Sequence, residues 1–218
     1  MRHPSTDYHD YVFQDNKLVG RFEEMYQFSQ EIPWHQDQLA ASMISDMDMT
    51  ILKQFKYSNI CDVGCGLGYF TYRLFAELVF TKERKQVTGI DISTTAVTQA
   101  TQRFGQIRFL AADLLKERPL PREQFDLVVV KELFWYVCHR YERFGQTLLE
   151  MLTPGGFLYV SQSFPEKEAW IGQEIASGPE QLKGILSHLV APVEWCINWH
   201  VAGYKNGHLH FLGQKKKI

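Results

Sequence analysis

Three glycines at alternate positions follow a short apolar run near residue 60. Residues 61–68 read Cys-Asp-Val-Gly-Cys-Gly-Leu-Gly, which places Gly64, Gly66 and Gly68 between a predicted strand and a predicted helix. Glycine is favoured there because the chain turns sharply and its backbone can approach a ligand that a Cβ atom would hinder. The pattern is typical of the first strand–turn–helix unit of a parallel sheet that binds a ligand at its edge.

The rest of the chain alternates short apolar runs with helical stretches. Buried strands are predicted at residues 59–63, 86–90, 107–111, 125–130 and 157–161. Helices are predicted at residues 69–80, 95–104 and 141–152, and one at residues 37–55 is expected to cover the sheet. This order predicts an α/β fold in which helices pack on both faces of a Rossmann-like, mostly parallel sheet.

The C-terminal part has a different pattern. Residues 193–201 and 208–214 alternate in polarity and are joined by a segment with an Asn-Gly turn sequence. This combination predicts an antiparallel hairpin. We expect the face of its first strand that carries Trp195 and Trp199 to lie in the core.

Three histidines of this hairpin, His200, His208 and His210, raise the question of a metal site. Alternation along the strands also allows them to lie on a solvent-exposed face. Cys61 and Cys65 are spaced too widely for a C-x-x-C pair, so zinc is not favoured there either. We therefore predict no metal, and free thiols.

Composition limits the class of protein. The chain has 218 residues, 45% of them hydrophobic, which suffices for one core and predicts a single domain. Its formal net charge is −2 and its basic residues form no long stripe, so nucleic acid is not expected as a partner. The N-terminal residues lack the apolar part of a signal peptide, and no apolar run is long enough to span a bilayer. We expect a cytoplasmic protein without a membrane partner.

The charge beside the glycines discriminates between cofactors. The spacing is G-x-G-x-G rather than G-x-G-x-x-G, and Asp62 precedes the first glycine by two residues. A carboxylate there would repel a pyrophosphate but attract the ammonium and sulfonium groups of S-adenosylmethionine. This favours S-adenosylmethionine over a nicotinamide dinucleotide, with Gly64, Cys65, Gly66 and Gly68 lining the cofactor; a tight structural turn is the alternative.

Two further strand ends carry acids. Asp91, followed by Ile92, lies at the tip of the second strand, where ribose hydroxyls are commonly bound; capping the next helix is the alternative. After the third strand, Ala112 leaves room for a flat ring, Asp113 can accept from an adenine amino group, and Leu114 supplies apolar contact. A plain helix-capping role is the alternative for Asp113.

A charged pair, Lys131 and Glu132, ends the fourth strand. Open α/β sheets bind ligands at this edge, so either side chain could contact the amino-acid end of the cofactor or the substrate. A solvated salt bridge is the alternative.

Taken in order, these segments resemble the motifs of class I S-adenosylmethionine-dependent methyltransferases, together with Thr153-Pro154-Gly155-Gly156 before the fifth strand. The resemblance covers residues 59–161. It implies a seven-stranded sheet whose final strand is antiparallel, and a reaction that converts S-adenosylmethionine to S-adenosylhomocysteine.

The N-terminal stretch, residues 20–35, more loosely resembles the nodulation protein S group. The resemblance implies a segment that closes over the cofactor, with Tyr26 and Trp34 in this lid; anchoring on the core is the alternative. Residues 1–57 would then form the lid and cover helix. Residues 58–161 would form the cofactor-binding core, and residues 162–218 the substrate-side insertion and hairpin.

These expectations define a function and one alternative. We predict an S-adenosylmethionine-dependent methyltransferase of small-molecule biosynthesis that acts on a nitrogen or oxygen of a sugar or secondary metabolite. His35, Glu132 and His139 are the candidates for a base that takes the proton of the acceptor. Because the sequence identifies no base securely, the alternative is a cofactor-binding partner protein without its own turnover. No oligomeric state follows from the sequence.

Overall fold

The computed structural model describes residues 5, 7–14, 17–78, 86–117, 120–164, 170–198 and 207–217. A seven-stranded sheet forms its centre, in the order β5-β4-β3-β6-β7-β9-β8. Its strands are β3 (Asn59–Val63), β4 (Gln86–Asp91), β5 (Arg108–Ala111), β6 (Phe125–Lys131), β7 (Leu152–Ser163), β8 (Ala191–Asn198) and β9 (His208–Gln214). Strands β3 to β7 are parallel, and β9 runs antiparallel to both β7 and β8. The predicted α/β fold with an antiparallel C-terminal hairpin is confirmed.

Helices cover both faces of the sheet. They are α1 (His9–Val12), α2 (Phe22–Phe28), α3 (Gln36–Ala40), α4 (Met43–Leu52), α5 (Tyr69–Glu77), α6 (Thr94–Arg103), α7 (Phe134–Val137), α8 (Tyr141–Met151) and α9 (Pro179–Leu189). Short 3₁₀ turns at Pro33–His35 and Cys138–Arg140 precede α3 and α8, and a two-stranded hairpin pairs β1 (Phe13–Gln14) with β2 (Lys17–Leu18). No helix within the described ranges is long and apolar enough to cross a bilayer.

Two apolar layers hold the sheet between the helices. On one face, side chains of α8 and α9 pack against Val128, Val130 and their neighbours. On the other, side chains of α4, α5 and α6 pack against Val129 and Tyr159. Strand β6 is covered on both faces, which explains its nearly uninterrupted apolar sequence.

The predicted cover helix is divided into two. A single helix at residues 37–55 was expected, but α3 ends at Ala40 and α4 begins at Met43. Ser42 separates them because its side-chain oxygen accepts a hydrogen bond from the Ser45 N–H (3.3 Å) and caps α4. A serine hydroxyl that bonds to nearby backbone favours a helix start over a helix interior.

Strand β7 is longer than predicted. It begins at Leu152, directly after α8, whereas the sequence predicted a strand only from residue 157. The Pro-Gly-Gly segment belongs to the strand because the pairing with β6 shifts register there and Gly155 and Gly156 bond to Lys215 instead. A proline and glycines are compatible with a strand at such an irregularity.

The burial predicted for the hairpin was wrong. Trp195 is 47% exposed, and the Lys183 ammonium of α9 lies 5.0 Å from its ring centroid. The reason is that β8 is the edge strand of the sheet, where one neighbouring strand and a partial helix layer leave its outer face open. Several predicted features lie outside the described residues: Trp199, His200, the joining segment up to Asn206 of the predicted turn, and the end of the helix predicted at residues 69–80.

Candidate active site

The three glycines form a turn at the carboxyl end of β3. All three have left-handed backbone conformations, with φ of 75° at Gly64, 51° at Gly66 and 80° at Gly68. The N–H groups of Gly64 and Cys65 both donate to the Ile90 carbonyl, at 2.8 and 3.0 Å, so the turn is tied to the tip of β4. The Cys65 side chain is buried rather than directed at the sheet edge, so only its backbone belongs to this glycine loop, residues 64–68.

Asp62 lies beneath the glycine loop. Its carboxylate accepts a hydrogen bond from the Thr71 hydroxyl of α5 at 2.6 Å, and the residue is 3% exposed. Burial raises the pKa of Asp62 to about 6, although the Thr71 hydrogen bond and the charge of Lys131 oppose the shift. The described contact of this acid is therefore with α5, which it ties to the end of β3.

Asp91 faces the glycine loop from β4. Its carboxylate accepts from the Gly66 N–H at 2.8 Å and the Ser93 N–H at 2.9 Å, and burial raises its pKa. The alternative in which Asp91 caps α6 is wrong, because the Ser93 hydroxyl accepts from the Ala96 N–H and fills that role. At the same strand tip, the apolar side chain of Ile92 is 51% exposed.

The end of β5 adds a third segment to this edge. The Ala112 N–H donates to the Asp91 carbonyl at 2.9 Å, and Ala112 and Leu114 are buried. Asp113 accepts from the Leu115 N–H at 3.0 Å and pairs with the Lys116 ammonium at 2.9 Å. Asp113 therefore stabilises a turn. The sequence analysis gave such a structural role as the alternative to adenine binding.

Lys131 is buried rather than solvated. Its ammonium pairs with Asp48 of α4, and the two side chains are 8% and 0% exposed. The solvated salt bridge left open by the sequence is therefore wrong. Asp48 also accepts from the Tyr159 hydroxyl (2.8 Å) and from Nδ1 of His210 (2.7 Å). Burial opposes the charge of Asp48, but Lys131 and His210 hold its pKa well below the usual range.

The two described histidines of the hairpin are buried, so their expected solvent-exposed face was wrong. Potential ligand atoms of Asp48, His208 and His210 lie within 4.8 Å of one another. The Lys131 ammonium already lies beside Asp48 and supplies the positive charge that a metal ion would bring. Burial lowers the pKa of His208 to about 3, so its imidazole is neutral at physiological pH.

Glu132 is held by several donors at the carboxyl ends of β6 and β7. Its carboxylate accepts from the Ser163 hydroxyl (2.6 Å), the Ser163 N–H (3.1 Å) and the Gln162 amide (3.0 Å). Its side chain keeps 24% exposure, and burial raises its pKa. Its backbone is left-handed, with φ of 53°. The carboxylate is therefore fixed in place yet still reachable.

The N-terminal segment lies over the glycine loop and packs around Trp34. The Trp34 ring centroid is 5.6 Å from that of Tyr8, 6.4 Å from that of Tyr26 and 5.9 Å from that of Tyr136. Tyr136 lies in α7, four residues after Glu132. Gln36 connects the segment to the loop, because its side-chain oxygen accepts from the Leu67 N–H at 2.9 Å.

Residues 54–216 match the methyltransferase domain family. The chain belongs to this family. The class I methyltransferase resemblance that the sequence motifs predicted is thereby confirmed.

Two relatives match part of this methyltransferase domain. Nodulation protein S of Rhizobium tropici is 28% identical over 157 residues, 69% of this chain and 61% of that protein. Trans-aconitate 2-methyltransferase of Paracidovorax citrulli (strain AAC00-1) is 33% identical over 104 residues, 47% of this chain and 38% of that protein. The matched stretch therefore spans less than two thirds of either relative.

Solved structures share the fold of this methyltransferase domain. The N-methyltransferase NodS from Bradyrhizobium japonicum WM9, in complex with S-adenosyl-L-homocysteine, has a TM-score of 0.64 at 22% identity and covers 95% of this chain and 96% of its own. The [4+2]-cyclase SpnF has a TM-score of 0.63 at 19% identity and covers 86% of this chain and 85% of its own. The fold alone therefore does not determine the reaction.

The structure separates the predicted bases of this methyltransferase domain. Glu132 lies at the sheet edge, and the exposed His35 adjoins Trp34 in the N-terminal segment. His139 is 63% exposed and pairs with Glu174 at 2.9 Å, and no described contact joins it to Glu132 or the glycine loop. Gln36 and Tyr136 were missed by sequence reasoning. The aromatic run after Glu132 was a signal for Tyr136, whereas nothing in the sequence distinguishes Gln36 from a surface glutamine.

Proposed function

We propose that this methyltransferase domain binds S-adenosylmethionine at the glycine loop and transfers its methyl group to a nitrogen or oxygen of a small molecule, with S-adenosylhomocysteine as the second product. The observation that carries the proposal is the direct hydrogen bond from the Gly66 N–H to the Asp91 carboxylate. It brings the loop and the predicted ribose-binding acid to one point of the sheet edge, beside the exposed Ile92.

The described residues fit an adenosyl group. Asp91 would accept from the ribose hydroxyls, since a carboxylate has lone pairs beyond those used by Gly66 and Ser93. Ile92 offers an apolar surface to the adenine ring, and Asp113 lies at the neighbouring strand end to accept from its amino group. The turn itself requires glycine, because a Cβ atom at Gly66 would lie 2.4 Å from Gln36 and 2.7 Å from Tyr26.

When bound, S-adenosylmethionine supplies a methyl group on a positively charged sulfur, which is an activated leaving group. The contribution of the protein is then mainly to position the acceptor and to exclude water. Trp34 and Tyr136 would form an apolar roof over the sheet edge. Glu132 would orient the acceptor and take its proton, and its raised pKa suits that role.

The charges near Glu132 favour an amine over a carboxylate as acceptor. Glu132 and Asp91 are acids at this edge, and the nearby cation, Lys131, is paired with Asp48. A carboxylate acceptor would be repelled by these acids, because the described cation beside them, Lys131, is already neutralised by Asp48. An amine would instead pair with Glu132, and this agrees with the N-methyltransferase NodS rather than with the trans-aconitate enzymes.

Calorimetric titration with S-adenosylhomocysteine tests the cofactor site. Asp91→Ala should weaken binding by at least about tenfold, because it removes a charged hydrogen-bond acceptor. Asp10→Ala, at an exposed position of α1, is the matched control and should bind like the wild-type chain. Equal affinities of Asp91→Ala and wild type would reject the assigned site.

Turnover is tested with S-adenosylmethionine and a panel of small amines, alcohols and carboxylic acids, with methylated products detected by mass spectrometry. We expect methylated amines, and a loss of about 10²–10⁴-fold in kcat for Glu132→Gln if this residue takes the proton. Methyl esters as the main products would contradict the amine assignment. Cofactor binding without any product would favour the alternative of a partner protein without turnover.

A further inference from the structure

Gln36 of the lid makes a direct contact with the glycine loop. Its side-chain oxygen accepts from the Leu67 N–H at 2.9 Å, and its amide nitrogen donates to the Tyr26 hydroxyl at 2.8 Å. We propose that Gln36 binds the carboxylate of the amino-acid part of S-adenosylmethionine, together with the Leu67 N–H. This assignment rests on the proposed function and adds a residue to its cofactor site.

Two successive N–H groups of the loop have side-chain oxygens as acceptors. The Gly66 N–H donates to Asp91, and the Leu67 N–H donates to Gln36. The oxygen of Gln36 thus lies where a carboxylate oxygen of a ligand would be bound. Rotation of the Gln36 amide about the Cγ–Cδ bond swaps the positions of its oxygen and its NH2 group. The same side chain can then donate a hydrogen bond to a carboxylate.

The backbone before Gln36 is strained. Trp34 and His35 are consecutive residues in the left-handed region, with φ of 52° and 47°. Residues other than glycine rarely adopt this conformation, and such strain is concentrated at functional positions. Aromatic packing around Trp34 holds this conformation, and α3 consequently begins at Gln36. This strained backbone therefore brings Gln36 into contact with the loop.

Two described cations near the loop, Lys131 and Arg103, already have partners. The Lys131 ammonium pairs with Asp48, and the Arg103 guanidinium lies 4.8 Å from the ring centroid of Tyr69 and contacts the Leu67 carbonyl. Within the described part of the chain, Gln36 and the Leu67 N–H are a pair of neutral donors that can bind a carboxylate at this end of the loop.

The test compares S-adenosylmethionine with its decarboxylated form, which lacks only the carboxylate. Gln36→Glu keeps the size of the side chain but places a negative charge at the proposed position. Calorimetry should show S-adenosylmethionine binding weakened by about 10- to 100-fold, and binding of the decarboxylated form unchanged or tighter. Gln38→Glu, on the exposed side of the same helix, introduces the same charge and should change neither affinity.

Gln36→Ala provides a second variant without a new charge, and it should weaken S-adenosylmethionine binding about tenfold and spare the decarboxylated form. Circular dichroism of each variant establishes that it is folded. Equal losses for the two ligands, or no loss for either, would overturn the assignment of Gln36. Failure of the wild-type chain to bind either ligand would instead overturn the proposed cofactor, and the assignment of Gln36 with it.

Discussion

At the scale of single residues, burial of acids distinguishes this sheet edge. Asp62, Asp91 and Glu132 each have a raised pKa, and burial is the main cause at all three. Each is also hydrogen-bonded, so the carboxyl groups are held in defined positions. These acids give the edge a negative potential that suits a cationic methyl donor.

The stability of the protein should depend on pH through Asp62. Its pKa is about 6 in the folded chain against 3.8 for an unperturbed group, so the folded state binds the extra proton between these values. The contribution of Asp62 to stability is therefore present at low pH and declines as the pH rises from about 4 to 6. Asp62→Asn removes this dependence.

We accordingly expect the free energy of unfolding of Asp62→Asn, relative to wild type, to rise by about 1–3 kcal/mol between pH 4 and pH 7. Urea denaturation at several pH values measures it, with Asp10→Asn at an exposed site as control. A difference that stays constant across this range, or falls, would contradict the buried protonated state of Asp62.

At the scale of elements, the glycine loop and the N-terminal segment depend on each other. Leu67 belongs to an apolar cluster with Tyr26 and Met25 of α2 and Ala96 of α6. Glu23 of α2 also accepts from the Ser93 and Thr95 hydroxyls at the start of α6, at 2.6 Å each. The N-terminal segment is therefore fastened to the glycine loop and to α6 by both apolar and polar contacts.

Gly66→Ala should disrupt this contact. The alanine would have to adopt a left-handed backbone conformation. Its Cβ atom would lie within 2.7 Å of Gln36 and Tyr26, so both of these side chains would have to move. We expect a loss of about 1–2 kcal/mol in the free energy of unfolding and weaker binding of S-adenosylhomocysteine. Gly184→Ala in α9 is the matched control, because nothing lies within 4 Å of its Cβ and a helix interior prefers alanine by about 0.5–1 kcal/mol. Equal effects of the two substitutions would contradict the close approach.

At the scale of the whole molecule, one buried carboxylate joins four elements. Asp48 of α4 bonds to Lys131 of β6, Tyr159 of β7 and His210 of β9. It therefore ties the N-terminal cover to the parallel strands and to the antiparallel hairpin. Breaking such a buried pair leaves an uncompensated charge, which is more costly than the loss of the contact itself.

Asp48→Asn should lower the free energy of unfolding by about 3–5 kcal/mol, because the Lys131 ammonium would remain buried without its counter-charge. Thermal and urea denaturation measure the loss, and the exposed Asp10→Asn should change stability by less than about 0.5 kcal/mol. Restoration of stability by the double variant Asp48→Asn, Lys131→Met would support the same cause. A single variant as stable as wild type would show that the ion pair contributes little.

Elements with a strong local pattern were predictable from the sequence. Residues 59–63 were predicted as a strand and form β3, and the helix predicted at residues 141–152 corresponds to α8. Continuous apolar runs, alternating polarity and turn residues are properties of neighbouring positions in the sequence, so short segments contain them. The positions of Gly66 and Asp91 at one edge also followed, because carboxyl ends of adjacent parallel strands meet there.

Contacts between distant segments were decided only in three dimensions. The sequence by itself determined the α/β order, the hairpin and the set of acids at strand ends. The burial of His208 and His210, the pairing of Lys131 with Asp48, the exposure of Trp195 and the contact of Gln36 with Leu67 depend on which strand is at the edge and which helix covers each face. A side chain is buried by its neighbours in space, and local periodicity does not specify those neighbours when they are many residues away.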